Sequence, residues 1–244
     1  MTASPFWVSA FLDLAAGDLE RGSAFWAAVT GFDRSAWRGD HDEFATLVPP
    51  SGDDYLRVQG LTEGSGRVHL DLHVADPGQA ADAALVLGGE VLVRHDAGYV
   101  VLISPGGLVF CFVSHGGSRR PAPATWTGGH RSQVDQVCLD VPPAAYEAEL
   151  RFWRELTGWD VTPVDEPEFE RLAAPAEQPL RWLVQRLDDE QPAVAAHLDL
   201  ATDDRDAEVA RHVALGARVV ARHDWWTVLT DPVGTTYCVT RRSP

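Results

Sequence analysis

Histidine and aspartate alternate with leucine at two places in the chain. The motif His-Leu-Asp-Leu occurs at residues 69–72 and again at residues 197–200. Successive side chains of a strand point to opposite faces, so we expect the leucines to face the core and the polar side chains to share the other face. Neighbouring imidazole and carboxylate groups can transfer protons near neutral pH. Burial among apolar neighbours would raise the carboxylate pKa, which suits proton transfer. The motif therefore makes Asp71, His69 and Asp199 candidates for acid–base catalysis.

The strands that carry these residues belong to a unit that occurs four times. The alternation recurs at residues 12–14 and 139–141. Each strand is followed by a helix start, a helix that ends at glycine and about three short strands. At residues 76–79, the run Asp-Pro-Gly-Gln predicts a helix N-terminus, with aspartate as the N-cap and proline in the first turn. The predicted C-terminal glycines are Gly31, Gly88, Gly89, Gly158 and Gly216. The sequence therefore predicts an α+β fold of four βαβββ units.

Each half of the chain contains two of these units, and the halves are duplicates. Phe25-Trp26 recurs as Phe152-Trp153, an offset of 152 − 25 = 127 residues, and the order of the later motifs is also kept. Repeats of this length indicate duplicated domains. We therefore predict domain 1 at residues 1–115, a linker at 116–130 and domain 2 at 131–244.

The composition excludes several classes of function. The 244 residues carry a net charge of −16, and the 20 basic residues are all arginine. An acidic surface repels phosphate backbones, so we expect neither nucleic acid nor an anionic membrane as a partner. Without lysine there is no Schiff-base chemistry. The sequence has no apolar stretch long enough to span a membrane, and no basic residue precedes its first apolar stretch as one would in a signal peptide. We therefore expect a cytoplasmic protein.

The repeated motifs resemble the vicinal-oxygen-chelate superfamily, in particular its glyoxalase-like and bleomycin-resistance-like branch. The residues that carry the resemblance are 152–159, 231–234 with 237–238, Gln59 with His69, and Gln185 with His197. The resemblance implies concave mixed sheets flanked by helices. It also implies that one chain mimics a dimer of single-half relatives, so we expect a monomeric pseudo-dimer or a homodimer. The superfamily contains lyases, ring-cleaving dioxygenases, thiol transferases and antibiotic-sequestering proteins, so it defines the fold more narrowly than the function.

The resemblance also implies where a metal ion would bind on the concave face. Relatives that hold a metal use His or Gln on the first strand, His on a central strand and Glu on the closing strands. This sequence has Gln136, His197 and Cys238 at those positions of the second half, and the first half has Ser9, His69 and Cys111. Cysteine thus replaces the carboxylate at both closing strands. Iron, manganese and magnesium prefer oxygen and imidazole ligands, so we expect no cofactor; a divalent metal, if bound, would take His197, Gln136 and Cys238.

Nine tryptophans form the other notable group. Trp26 and Trp153 recur at helical positions and are predicted to lie in the core. Trp225-Trp226 stands where the first half has Ala97-Gly98, which predicts aromatic surface for a flat ligand or packing between halves. The predicted ligand contacts are His197, Gln136, Gln185, Trp226, Trp225, Trp182, His69, Gln59 and His73.

Three functions follow from these residues. The first is metal-independent binding that sequesters a partly aromatic or cyclic small molecule, as antibiotic-resistance members of the superfamily do. The second is a metal-dependent lyase, isomerase or dioxygenase that uses His197 or His69. The third is a metal-free enzyme with aspartate and histidine as acid and base. The first is the expectation, with the main site in the second half, where Gln136 and Trp226 add polar and aromatic contacts around His197.

Overall fold

The structure of the chain is a computed structural model that describes residues 4–64 and 66–244. Four βαβββ units follow one another, as the sequence predicts. The first half contains β1 (Trp7–Ala15), α1 (Leu19–Thr30), β2 (Asp33–Arg34), β3 (Phe44–Val48), β4 (Leu56–Leu61), β5 (Arg67–His73), α2 (Pro77–Val86), β6 (Glu90–Arg94), β7 (Val100–Ile103) and β8 (Val109–Val113). The second half contains β9 (Ala124–Thr125), β10 (Arg131–Val141), α3 (Tyr146–Thr157), β11 (Val161–Pro163), β12 (Phe169–Leu172), β13 (Arg181–Arg186), β14 (Ala195–Thr202), α4 (Arg205–Ala214), β15 (Arg218–Arg222), β16 (Trp226–Thr230) and β17 (Thr236–Thr240).

Each half forms one mixed sheet. The first sheet has eight strands in the order β2-β3-β4-β1-β5-β8-β7-β6. The second has the equivalent order β11-β12-β13-β10-β14-β17-β16-β15, with β9 as a ninth strand beside β10. In each half, the first strand of the second βαβββ unit pairs in parallel with the last strand of that unit. These pairs are β5 with β8 and β14 with β17. This order places the strands with the His-Leu-Asp-Leu motif near the middle of their sheets.

The helices begin and end where the sequence predicts. The carboxylate of Asp76 accepts a hydrogen bond from Gln79 N at the start of α2, and Asp204 caps α4 in the same way through Ala207 N. These bonds satisfy backbone N–H groups that have no partner inside the helix. Helix α1 ends at Gly31, whose φ of 71° is favourable for glycine and strained for other residues.

Strand alternation is also as predicted. In β14, Leu198 and Leu200 are each 1% exposed, whereas His197, which precedes Leu198, is partly exposed. The apolar side chains of β14 therefore pack in the core, and the polar side chains occupy the opposite face of the sheet. A strand of this kind supplies core packing and chemical groups at the same time.

The chain divides into two compact units that do not coincide with its halves. Unit 1 contains residues up to 10, 69–118 and 137–196, and unit 2 contains residues 11–68, 119–136 and 197–244. Each unit thus combines part of the first half with part of the second. Helices α2 and α3 belong to unit 1, and helices α1 and α4 belong to unit 2.

A buried hydrogen bond connects the two halves inside unit 2. The indole Nε1 of Trp26 on α1 donates to Asp231 Oδ2 at 3.0 Å, and the ring packs edge-on against Tyr237 with centroids 5.1 Å apart. Asp231 also accepts from the backbone N–H groups of Val233 and Thr235 in the turn before β17. Burial raises the pKa of Asp231, while these hydrogen bonds oppose the shift. The first helix is therefore fixed to a turn of the other half.

Unit 1 has an equivalent connection. Glu149 on α3 accepts from the indole Nε1 of Trp153 at 2.7 Å and from the backbone N–H of Gly106 at 2.8 Å. Gly106 lies in the turn between β7 and β8 of the first half.

The tryptophans predicted for the core, Trp26 and Trp153, are both 0% exposed. Among the described residues, no helix is long and apolar enough to cross a membrane.

We expect the bond from Trp26 to Asp231 to contribute measurably to stability. Trp26→Phe removes the indole donor and leaves a buried carboxylate without one of its partners, which costs about 1–3 kcal/mol. Trp182→Phe is the matched control, because Trp182 is equally buried and its indole Nε1 has no hydrogen-bond partner among the described residues. Denaturant unfolding should show Trp26→Phe to be the more destabilising change by that difference, and equal losses would contradict this account.

Candidate functional site

The second-half cluster consists of His197, Asp199 and Cys238. His197 and Asp199 lie two residues apart on β14, so both side chains leave the sheet on the same face. The parallel register pairs Asp199 with Cys238 on β17, which brings the thiol to that face. The Nε2 atom of His197 is 3.4 Å from Asp199 Oδ1 and 3.7 Å from Cys238 Sγ. The donor atoms of all three side chains lie within 4.8 Å of one another.

Asp199 is held by one of its oxygens and leaves the other without a hydrogen bond. Gln136 on β10 donates from Nε2 to Asp199 Oδ2 at 2.5 Å. Oδ1 is buried and makes no hydrogen bond of good geometry among the described residues; His197 Nε2 lies 3.4 Å from it and is the strongest of the groups that lower the pKa of Asp199. A buried acceptor of this kind is costly unless another group satisfies it.

The pKa of Asp199 moves in the direction opposite to the one expected. Burial alone would raise this pKa, but the adjacent His197, the charge of Arg242 and the hydrogen bond from Gln136 hold it below its ordinary value. Asp199 therefore carries a negative charge at neutral pH. The expectation of a raised carboxylate pKa is wrong at this position, because sequence periodicity does not show which donors face a carboxylate.

The distances within the cluster fit a tetrahedral metal ion. Zinc bonds of about 2.0–2.1 Å to nitrogen and oxygen and about 2.3 Å to sulfur separate a nitrogen ligand from oxygen by about 3.4 Å and from sulfur by about 3.5 Å. The observed separations from His197 Nε2 are 3.4 Å to oxygen and 3.7 Å to sulfur. The atom that lacks a hydrogen bond, Asp199 Oδ1, is the carboxylate oxygen that lies 3.4 Å from His197 Nε2. Imidazole, carboxylate and thiolate together form a donor set that zinc accepts.

Asp199 changes the ligand set that the sequence predicted. That set was His197, Gln136 and Cys238, with no carboxylate. In the structure Gln136 bonds to Asp199, and Asp199 supplies the carboxylate from the same strand as the histidine. The His-x-Asp spacing on one strand, combined with a parallel neighbour that carries cysteine, is the signal that identifies this set.

The first half has an equivalent cluster of His69, Asp71 and Cys111. Asp71 on β5 pairs in register with Cys111 on β8, and the three donor atoms also lie within 4.8 Å of one another. His69 Nε2 and Asp71 Oδ1 are 3.8 Å apart, wider than in the second half. Burial raises the pKa of Tyr99, and the negative charges of Cys111 and Asp71 add to this shift. Tyr99 is therefore an additional polar group near this first-half cluster.

An aromatic side chain stacks on histidine beside each cluster. His223 and Trp226 are stacked with ring centroids 4.5 Å apart and an interplanar angle of 16°. His95 and Tyr99 stack in the same way at 4.5 Å and 13°. Trp226 is thus the counterpart of Tyr99, and the predicted alignment of Trp225-Trp226 with Ala97-Gly98 is shifted by one residue. The segment from His223 to Trp226 is one residue shorter than the equivalent segment from His95 to Tyr99, which sequence comparison alone did not resolve.

Trp226 lies on the same face of the sheet as the second-half cluster. Val228 pairs with Cys238 in antiparallel register, and Trp226 precedes Val228 by two residues on β16. Side chains two residues apart share a face, so Trp226 and Cys238 both belong to the face that carries His197. Trp225 points elsewhere and is 60% exposed, with the Arg241 guanidinium 5.8 Å from its ring.

Two residues predicted at the ligand lie in the core instead. Trp182 is 0% exposed and packs edge-on against Trp153 and Trp159, with centroids 5.2 and 5.5 Å away. His73 is also 0% exposed; its Nε2 lies 2.5 Å from Ser9 Oγ and its Nδ1 lies 2.8 Å from the carbonyl oxygen of His115. Both side chains are fully buried, and their part in ligand binding stays a prediction. Their polarity and aromatic character do not reveal such burial in the sequence.

The other two glutamines remain half-buried. Gln59 lies on β4 and pairs in register with Phe44, and Gln185 lies on β13 and pairs with Phe169. Gln59 belongs to unit 2 whereas His69 belongs to unit 1, and Gln185 belongs to unit 1 whereas His197 belongs to unit 2. Their part in ligand binding stays a prediction.

One small cavity lies inside unit 2, away from the cluster. Its volume of about 10 Å³ is that of a single water molecule. The lining includes Thr30, Ser132 and Gln133 among apolar side chains. This cavity is too small for an organic ligand, and its lining includes no residue of the second-half cluster.

Comparison with known proteins identifies one family. The sequence profile described as "Glyoxalase-like domain" matches twice, at residues 9–113 and 136–240. Each match covers most of one sheet and includes one His-Leu-Asp-Leu motif. No curated protein sequence matches the chain.

Solved structures with the same fold include a metal-bound glyoxalase, a dioxygenase and a synthase. The Mn(II)-bound glyoxalase from Novosphingobium aromaticivorans superposes with a TM-score of 0.66 at 16% identity, covering 98% of this chain and 82% of that one. The 2,3-dioxygenase LapB from Pseudomonas sp. KL28 gives 0.66 at 15% identity, with 98% and 93% coverage. A mutant 4-hydroxymandelate synthase from Streptomyces coelicolor gives 0.62 at 14% identity, with 100% and 94% coverage. At these identities the likeness concerns the fold alone.

We expect Gln136 to stabilise the cluster by holding Asp199. Gln136→Leu removes the donor to a buried carboxylate oxygen and should lower the free energy of unfolding by about 1–3 kcal/mol. Gln185→Leu is the control, since Gln185 is half-buried on β13 and should change stability by less than about 0.5 kcal/mol. Chemical denaturation of both variants at pH 7 measures the difference; a neutral Gln136→Leu would show that the bond does not position Asp199.

Proposed function

The chain belongs to the family of glyoxalase-like domains within the vicinal-oxygen-chelate superfamily, and on this basis we propose that it is a metal-assisted lyase or isomerase of a small molecule. The site is the second-half cluster, where His197, Asp199 and Cys238 hold one divalent ion of the zinc type. This proposal replaces the sequence-based expectation of metal-independent binding. The change follows from the position of Asp199, which the sequence did not place among the ligands.

The unsatisfied oxygen of Asp199 carries the proposal. A buried, charged carboxylate with one oxygen fixed by Gln136 and the other without a hydrogen bond is ready to accept a cation. The lowered pKa of Asp199 keeps the group ionised, as a ligand requires. His197 Nε2 lies 3.4 Å from that oxygen and 3.7 Å from Cys238 Sγ, and both separations match tetrahedral coordination.

The ligand set favours Lewis-acid chemistry over oxygen activation. Non-haem iron oxygenases use two histidines and one carboxylate. The second-half cluster offers one histidine, one carboxylate and one thiol. An ion held by three protein ligands has room for a substrate oxygen, which it polarises when bound. We therefore assign the chain to glyoxalase-type lyases and isomerases rather than to the ring-cleaving dioxygenases that share its fold.

The residues around the cluster suggest a flat or cyclic substrate. Trp226 offers a half-buried ring on the same face, and His223 stacked on it holds that ring in place. Stacking against a fixed indole binds planar groups at little entropic cost. Among the ligands of the ion, the thiolate of Cys238 would be the softest. Thiolate favours zinc over manganese, so zinc is the proposed ion.

Metal binding can be measured on the purified protein. Chelator-treated chain should bind cobalt(II), used as a spectroscopic stand-in for zinc, and show a thiolate-to-cobalt charge-transfer band. Cys238→Ser should remove this band, and Asp199→Asn should weaken binding by about tenfold or more, because a neutral amide replaces a charged ligand. Cys111→Ser is the matched control in the first half and should keep the second-half signal.

The three variants separate the outcomes. If Cys111→Ser removes the band and Cys238→Ser keeps it, the metal belongs to the first-half cluster. If the unmodified protein binds neither cobalt nor zinc above trace levels, the metal-assisted enzyme is ruled out. The conservative changes keep side-chain size, so circular dichroism should show an unchanged fold.

Sequestration of a partly aromatic small molecule without a metal is the second candidate. The stacked Trp226 favours it, because this ring can bind a ligand whether or not an ion is present. Cysteine stands at both closing strands, where the resemblance to metal-binding members of the superfamily implies a carboxylate. In this case His197 and Asp199 would act as hydrogen-bond partners of the ligand, or as base and acid in a metal-free reaction.

Ligand binding should depend on the second half more than on the first. Compounds that quench tryptophan fluorescence provide the probe, and affinities are then compared between variants. Loss of stacking in Trp226→Ala should weaken binding by up to about tenfold. Tyr99→Ala changes the equivalent position of the first half and is the control, as His69→Ala is for His197→Ala. Greater damage from the first-half changes would place the site at His69.

A further inference from the structure

Two arginines and a phenylalanine share one face of the first sheet. In the antiparallel register of β3 with β4, Phe44 pairs with Gln59, and Thr46 pairs with Arg57. Arg38 pairs with Phe44 from the other side of β3, through an isolated antiparallel bridge. Side chains of directly paired residues share a face, and so do side chains two residues apart on a strand. Arg38, Phe44 and Arg57 therefore lie on the same face, which we call the arginine face.

The arginine face is open to solvent, whereas the opposite face of the same strands packs in the core. The alternate residues of β3 and β4 are each 0% exposed: Ala45, Leu47, Leu56 and Val58. By contrast, Arg38, Phe44 and Arg57 are only partly buried. A small molecule can therefore reach the arginine face without displacing the core.

Two aromatic rings lie beside the arginine side chains. The rings of Phe11 on β1 and Phe44 on β3 are edge-on to each other, with centroids 6.4 Å apart. The guanidinium carbon of Arg57 lies 5.8 Å from the centroid of the Phe11 ring. A guanidinium this close to a ring is attracted to its π electrons. A ligand that binds the arginine head would therefore also contact aromatic surface.

The positive charge of the arginine face exceeds the negative charge that pairs with it. Arg57 donates from Nε and Nη2 to a single oxygen of Asp54, at 3.1 and 3.0 Å. Arg38 donates to Ser35 Oγ at 3.4 Å, and in the described part of the chain no carboxylate forms an ion pair with it. Burial and the charge of Arg57 lower the pKa of Arg38, while the charge of Asp54 opposes this shift. Guanidinium remains charged at neutral pH, so two cations share one carboxylate.

We propose that the arginine face binds a small planar carboxylate, such as an aromatic acid. The N–H groups of a guanidinium match the two oxygens of a carboxylate, and Arg38 and Arg57 would supply them. The rings of Phe11 and Phe44 would contact the flat body of the ligand. The chain has a net charge of −16, so most of its surface repels such an anion. This site shares no residue with the second-half cluster and needs no metal ion.

Two probes of the same shape separate recognition of charge from contact with the rings. Naphthoate carries a carboxylate, and naphthamide is its neutral analogue. In equilibrium dialysis, the chelator-treated full chain should bind naphthoate about tenfold more tightly than naphthamide, because only the carboxylate accepts charge-assisted hydrogen bonds from arginine. Added salt should weaken naphthoate binding. Equal affinities for the two probes, or no binding of naphthoate at millimolar concentration, would overturn the proposal.

Substitution of single arginines locates the bound anion. Arg38→Gln and Arg57→Gln should each weaken naphthoate binding by about tenfold. Arg34→Gln is the matched control and should change the affinity by less than about twofold. Arg34 pairs in register with the buried Leu47 and contacts Glu20 of α1, which places it on the opposite face of the sheet. If naphthoate binds equally well to all three variants, the anion lies elsewhere and the proposal is wrong.

Removal of the competing carboxylate should have the opposite effect. Asp54→Asn leaves both arginines charged and takes away the group that partly neutralises them, so naphthoate should bind about threefold more tightly. Misfolding weakens binding and cannot imitate this gain. Weaker or unchanged binding of naphthoate to a folded Asp54→Asn variant, with circular dichroism as the measure of folding, would contradict the proposal.

Discussion

A buried carboxylate that accepts an indole N–H joins the halves of the chain inside each compact unit. In unit 2 this carboxylate is Asp231, which receives Trp26 and two backbone N–H groups of its own turn. In unit 1 it is Glu149, which receives Trp153 and the turn at Gly106. Breaking either bond would leave a charged group without its partner in an apolar environment, where the cost is far higher than in water. The strands that carry the chemical groups depend on these anchors for their position.

The candidate site arises from the same strand geometry that builds the core. On β14 the leucines pack inward, and the residues between them supply imidazole and carboxylate. Parallel pairing with β17 then adds the thiol of Cys238 beside Asp199. The two halves share this arrangement but differ at one neighbour, since Trp226 stands where the first half has Tyr99. The indole of Trp226 favours stacking with a bound ring, whereas the phenol of Tyr99 adds a further polar group. This difference distinguishes the second half from the first.

The sequence predicted the four units, the helix ends and the strand faces, because caps, terminal glycines and period-two alternation are local features. It also predicted His197, Cys238 and Gln136 as the ligands of a metal ion if one is bound, and the structure brings the first two side chains together. It did not show that Gln136 bonds to Asp199, or that Trp182 and His73 are fully buried. Those facts depend on strand register and on contacts between distant segments. The one-residue shift at Trp226 has the same origin, since a loop of different length changes the alignment without altering either strand.

The interleaving of the two halves has a consequence for the newly made polypeptide. Helix α1 leaves the ribosome early, but Tyr237 and Asp231, which cover Trp26, are synthesised roughly two hundred residues later. Until then the first half carries an apolar helix face that its own sequence cannot cover. Contacts between residues this distant in sequence form slowly, because a long loop must close first. The same closing segment contains Cys238, so the reactive cluster and the completed core of unit 2 come into existence together, and a prematurely terminated chain has neither.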